Sequence, residues 1–129
     1  MRLILLTLLF LSACSENPSR YSQTEMWYKS KKCDDTIELV PIPQHLVHRR
    51  IICSSYGPGC VSGSGKRILI RKVEMIAVQF QNEAFARAEA LRLNGYYLRN
   101  WFFDDVTNEP VLESFVKSCY KAINPRLIS

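Results

Sequence analysis

The first residues limit this chain more than anything that follows them. Arg2 precedes an apolar run from Leu3 to Leu11, well short of the ~20 residues that cross a bilayer. A cation, a short apolar stretch and then small residues form the pattern of an export signal that is removed. The expectation is a signal peptide over residues 1–13 and a mature chain that begins at residue 14. That chain folds in an oxidising compartment, where cysteines pair.

The apolar run ends in Leu11-Ser12-Ala13-Cys14. This tetrad resembles the lipobox of bacterial lipoprotein precursors, in which signal peptidase II cuts before the cysteine and the cysteine becomes the acylated first residue. The resemblance covers residues 1–15 and implies lipidation of Cys14. Ser15 follows, where an Asp usually retains Gram-negative lipoproteins in the inner membrane. The resemblance therefore implies an outer-membrane anchor facing the periplasm, with the outer face of the inner membrane as the alternative. Each buried acyl methylene contributes ~0.8 kcal/mol, so several chains on one cysteine hold firmly. Residues 14–32 are expected to be the lipidated cysteine and a polar tether, and residues 33–129 a single domain.

Lipid on Cys14 leaves Cys33, Cys53, Cys60 and Cys119, an even number with three possible pairings. Cys53 and Cys60 flank Ser-Ser-Tyr-Gly-Pro-Gly, a turn-rich loop that brings its ends together. This favours Cys53–Cys60 with Cys33–Cys119. The spacings are too wide for a typical zinc site, and no Cys-x-x-Cys-His motif is present to hold haem. No metal or cofactor is expected.

The chain of 129 residues is 47% apolar and 22% charged, a globular composition with room for one domain. Thr36–Val40 and Leu46–Cys53 read as strands, separated by Pro41 and Pro43. Residues 54–65 are glycine-rich and read as a loop. Lys66–Phe80 reads as one long extended stretch whose alternation changes phase, which a bulge or bend near Arg71–Glu74 reconciles. Asn82 caps a helix with Ala84, Phe85, Ala88 and Leu91 on its inner side, and Asn94-Gly95 stops it. Tyr96–Phe103 reads as a strand. Asn108 or Thr107 caps a last helix, with Pro110 in its first turn and Pro125 as its terminator. Val111, Leu112, Phe115, Val116, Cys119 and Ile123 recur there at helical spacing. The expected fold is α+β: a small mixed sheet with two helices packed mainly on one face, C-terminal order strand–helix–strand–helix, stapled by disulfides. If the two C-terminal strands are parallel neighbours, their crossover is right-handed.

Little in the sequence points to catalysis. Gly63-Ser64-Gly65-Lys66 hints at a phosphate loop, but Cys60 stands where its first glycine belongs and Arg67 where it needs Ser or Thr. His45 and His48 lie three apart, which in a strand puts them on opposite faces. Asp104 and Asp105, with Glu109 nearby, suit a turn and a cap better than an acid pair. In a single strand Tyr97, Arg99, Trp101 and Phe103 share one face, a possible interaction surface if exposed. Residues 29–72 carry nine Lys/Arg against three acids, which could meet anionic headgroups or envelope polymers. Nucleic acid fits that charge but not the compartment.

These features give a membrane-anchored envelope lipoprotein that binds or supports another envelope protein. A small periplasmic enzyme or metal-binding protein built on Asp104, Asp105 and the histidines is one alternative. A peptidoglycan- or lipopolysaccharide-binding module is another. Replacing Cys14 by Ser is expected to release the protein from the membrane fraction or leave the precursor uncut. A Cys14→Ser protein that is processed and anchored normally contradicts the lipobox reading.

Overall fold

A computed structural model describes residues 20–127. The expected signal peptide, Cys14 and the first part of the tether lie outside the described residues. The first element is a helix, α1 (Gln23–Cys33). Ser22 and Glu25 form a reciprocal capping box: the serine hydroxyl accepts from the Glu25 N–H, and the Glu25 carboxylate accepts from the Ser22 N–H. Lys31 and Lys32 in the last turn oppose the helix dipole. Met26 and Ser30 are buried. Gln23 to Lys32, within the expected tether, is therefore helical and packs on the core.

A two-residue edge strand, β1 (Glu38–Leu39), follows. The strand expected over Leu46–Cys53 does not form. The chain instead makes two 3₁₀ turns, Val47–Arg49 and Cys53–Ser55, closed by short-range bonds such as Arg49 N–H to Leu46 O and Ser55 N–H to Ile52 O. The β-branched residues had no neighbouring strand to pair with, so local turns won.

Lys66–Phe80 is a hairpin, not a bulged strand. β2 (Lys66–Ile70) and β3 (Val73–Gln79) pair antiparallel with Ile70 opposite Val73. The two-residue turn holds Arg71 and Lys72 at φ 49° and 70°, the left-handed conformation that matches strand twist. This explains the change of phase, since Ile68 and Ile70 in β2 share a face with Met75 and Val73 in β3.

Helix α2 (Glu83–Leu93) is capped as expected, with Asn82 Oδ1 accepting from the Phe85 N–H and Asn94 left-handed at φ 54°. Its inner side differs from expectation. Ala86, Glu89 and Ala90 are buried and Phe85 partly so, while Ala84, Ala88 and Leu91 face outward. Tyr96–Phe103 is again a hairpin: β4 (Tyr96–Leu98) and β5 (Trp101–Asp104), with Arg99 at φ 51° in the turn.

The last helix, α3 (Pro110–Phe115), is capped by Glu109, whose carboxylate accepts from the Leu112 N–H, rather than by Asn108 or Thr107. It widens into a π-helical turn, Val116–Tyr120, and stops at left-handed Lys121. Ile123 thereby leaves the expected stripe and exchanges two backbone hydrogen bonds with Tyr97.

The five strands run in the order β1-β2-β3-β5-β4. The α+β class is as expected, but every pair is antiparallel, so the sheet is not mixed and no parallel crossover arises. The helices also divide between the two faces. α1 and α3 cover the face of Ile68, Ile70, Met75 and Phe103, and α2 covers that of Ile76, Val78, Phe80 and Phe102. The disulfides pair as favoured. Cys33–Cys119 joins the end of α1 to the π-helical turn over 86 residues, and Cys53–Cys60 closes a short loop over 7.

On the chain-entropy account, removing Cys33 and Cys119 together as Ala is expected to cost about 4–5 kcal/mol, and removing Cys53 and Cys60 about 2–3 kcal/mol. Urea unfolding of the two double variants measures both. A larger loss from the short loop contradicts this ranking.

Candidate functional site

Helix α1 is held at both ends. At its entrance the Tyr21 carbonyl accepts from Gln79 Nε2 (3.1 Å), Asn100 Nδ2 (3.3 Å) and Trp101 Nε1 (2.9 Å). The Tyr21 N–H donates to Asn100 Oδ1 at 2.7 Å, and the Arg99 guanidinium lies 3.9 Å above the Tyr21 ring. At its exit stand the Cys33–Cys119 bridge and a hydrogen bond between the Ser30 and Tyr120 hydroxyls. Ser30 donates its own proton to the Met26 carbonyl at 2.6 Å, so Tyr120 is the donor to Ser30.

Between α1 and the sheet lies a groove of about 270 Å³. Met26 and Trp27 form its helix wall, and Leu39, Ile68, Trp101 and Phe103 its sheet wall. Ala77 gives it depth, because this small residue sits on β3 directly between Lys66 of β2 and Phe103 of β5. Ser30 and Tyr120 also line it, and Gln23 and Thr24 come from the first turn of α1. Both tryptophans of the chain line this one groove.

The buried polar groups of the lining, Ser30, Tyr120 and Trp101, are already engaged. Burial pushes the Tyr120 hydroxyl up to about 12, so near neutral pH it stays protonated on Ser30 and offers no base. Trp101 Nε1 is engaged with Tyr21. Lys66 is the one charged side chain in the lining, and among the described residues no carboxylate pairs with it. The arrangement can hold an apolar group and meet one negative charge.

The aromatic surface expected from Tyr97, Arg99, Trp101 and Phe103 is not assembled, because the Arg99-Asn100 turn reverses the chain. Trp101 and Phe103 are buried on the α1 face and line the groove. Tyr97 packs with the α2 face, and Arg99 stacks on Tyr21. Asp104 accepts from the Tyr56 hydroxyl at 3.0 Å, and burial, then the Asp104 charge, push that phenol above its ordinary range. Asp105 is a left-handed turn residue, its carboxyl raised by partial desolvation and then by Asp104. Glu109 is a helix cap, and His45 and His48 are exposed on the long loop. Among the described residues no three His, Cys, Asp or Glu side chains are grouped to hold a metal.

Met26-Trp27-Tyr28 interrupts a polar stretch, which suggests contact with the core, and Lys66 ends a glycine-rich loop, but nothing in the sequence brings Trp27, Lys66 and Ala77 to one groove. One available signal was Ser22-x-x-Glu25, the capping box that starts the helix carrying Met26, Trp27 and Ser30. Asn100 is fully buried and also donates to the Phe80 carbonyl at 3.1 Å. Asn100→Ala orphans the Tyr21 N–H, a loss of about 1–3 kcal/mol per buried group. Amide exchange is expected to quicken in α1 more than in β3. Equal changes in both contradict the clamp.

No protein-family model matches the chain, and comparison with curated proteins and with solved structures finds no similar protein.

Proposed function

We propose that this chain is an envelope lipoprotein, acylated on Cys14 and anchored at the outer membrane facing the periplasm, that works by binding and not by catalysis. Its partner is another envelope protein, met at the mouth of the groove. The groove is the observation that carries this reading. It is apolar and aromatic, and its helix wall is tied down at Tyr21 and at Cys33. A site held in shape before binding loses little freedom on binding.

The anchor supports the same reading. Eight residues lie between Cys14 and Gln23, nine steps along the chain, and at most ~3.3–3.6 Å per step this gives a reach of about 30 Å. The start of α1, which lines the groove, thus stays close to the membrane surface. The enzymatic alternative has weaker support, since Asp104 is engaged by Tyr56 and Glu109 by the start of α3. The envelope-polymer alternative loses cations, since Arg49 and Arg67 both pair with Glu74 (2.7 and 3.5 Å).

A photo-crosslinking amino acid placed at Leu39, which lines the groove and is 48% exposed, tests the reading in the membrane-anchored protein. Leu127, 64% exposed and near the C-terminus, is the control position. A discrete protein adduct from position 39 and not from 127 is expected. Equal adducts at both positions, or none at 39, overturn it.

A further inference from the structure

We propose that the interior of the groove holds a single alkyl chain whose anionic head sits at Lys66. This rests on the reading of the groove as the binding site, and it concerns what fills the groove rather than which protein meets its mouth.

Three observations converge on that chemistry. The first is the state of the polar groups. Ser30 donates to Met26, Tyr120 to Ser30, and Trp101 Nε1 to Tyr21. Gln23, Thr24 and Trp27 are less buried, but a peptide backbone or a sugar reaching the interior brings donors and acceptors that the engaged, buried groups do not meet, and burying them unpaired is costly. An alkyl chain brings none. The second is size. A volume of 270 Å³ falls just below the ~300–1,000 Å³ of ordinary small-molecule pockets. A space of this size between the helix and the sheet admits one short alkyl chain and is too small for a large ligand. The third is charge. Lys66 is exposed, points to the groove face of β2, and has no carboxylate partner among the described residues. Its methylenes extend the apolar wall while its ammonium stays in water at the rim, where a carboxylate or phosphate head can reach it.

Trp27 and Trp101 are the only tryptophans and both line the groove, so intrinsic emission reports its filling. The acylated full chain is reconstituted in phosphatidylcholine vesicles. It is titrated with decanoate, decyltrimethylammonium and decyl maltoside, each below its micelle concentration. Decanoate is expected to give a saturable change in tryptophan emission, about threefold to tenfold tighter than decyltrimethylammonium, the scale of one exposed attraction set against one exposed repulsion. Lys66→Glu changes an exposed side chain, and its melting temperature confirms that it folds. This variant is expected to reverse the order of the two ions. A second arm replaces decanoate by vesicles containing phosphatidylglycerol. A Lys66-dependent emission change there assigns the chain to a membrane phospholipid, and a change with decanoate alone assigns it to a free alkyl carboxylate. No saturable change in either arm overturns the proposal, as does a change that ignores head charge and Lys66. If the titrations fail while a crosslinker at Leu39 still captures a protein, the alkyl ligand falls and the groove remains a binding site. If both fail, neither reading stands.

Discussion

The amide side chain of Asn100 is the joint on which the α1 side of this protein depends. It lies in a two-residue turn between β4 and β5 and is fully buried. Its oxygen accepts from the Tyr21 N–H, and its nitrogen donates to the carbonyls of Tyr21 and Phe80. One side chain thus ties the entrance of α1 to the end of β3 and to the β4–β5 turn. Replacing it by an apolar residue would leave the Tyr21 N–H without its partner, which is why an amide and not a hydrophobe suits the site. Together with Cys33–Cys119 it holds a polar helix that buries few of its own residues. Such a helix draws its order from tertiary contacts more than from its own propensity.

The two faces of the sheet are closed in different ways. On the α2 face the Cys53–Cys60 loop seats on the helix. Glu89, 3% exposed, accepts from the Gly57 N–H at 2.5 Å and pairs through both oxygens with Arg92. A Cβ on Gly57 would lie 2.8 Å from the Glu89 carboxylate, and one on Gly59, already at φ 86°, would meet the Phe85 ring. Loop and helix therefore meet without space for added atoms. The α1 face has no such loop. Ala77 sits beneath the helix where a larger residue would fill the gap, and the groove is what remains.

Fold class was legible because its signals were local and strong. Asn82 and Asn94-Gly95 bounded α2, and the cysteines and the turn-rich segment between Cys53 and Cys60 suggested the pairing. The hairpins were not legible. Their turns are Arg71-Lys72 and Arg99-Asn100, without the Asn-Gly or Asp-Gly pairs that normally announce a left-handed turn. Each hairpin therefore read as one long strand. The change of phase at Arg71–Glu74 was visible, but a bulge and a turn both shift the alternation, and only strand pairing tells them apart. The groove was hidden for a related reason. One wall is a helix within a segment whose composition suits a tether, and the opposite wall reads correctly only once the second hairpin is known.

The basic half of the chain shows how that geometry separates neighbouring charges. Lys66 and Arg67 are neighbours, and composition gives them one role. The two-residue period of a strand separates them. Arg67 points to the loop face, where its Nε donates to the Arg49 carbonyl at 2.8 Å and its guanidinium joins Arg49 on Glu74. That cation is spent on holding the long loop against the sheet. Lys66 points to the other face and ends at the rim of an apolar groove. The same charge is structural at one residue and open to a ligand at the next, so counting cations overstates what the surface can offer to an anionic polymer. Within the groove lining Lys66 is the one charged side chain, so a ligand with one negative charge and an apolar body is the one that the proposed site would favour.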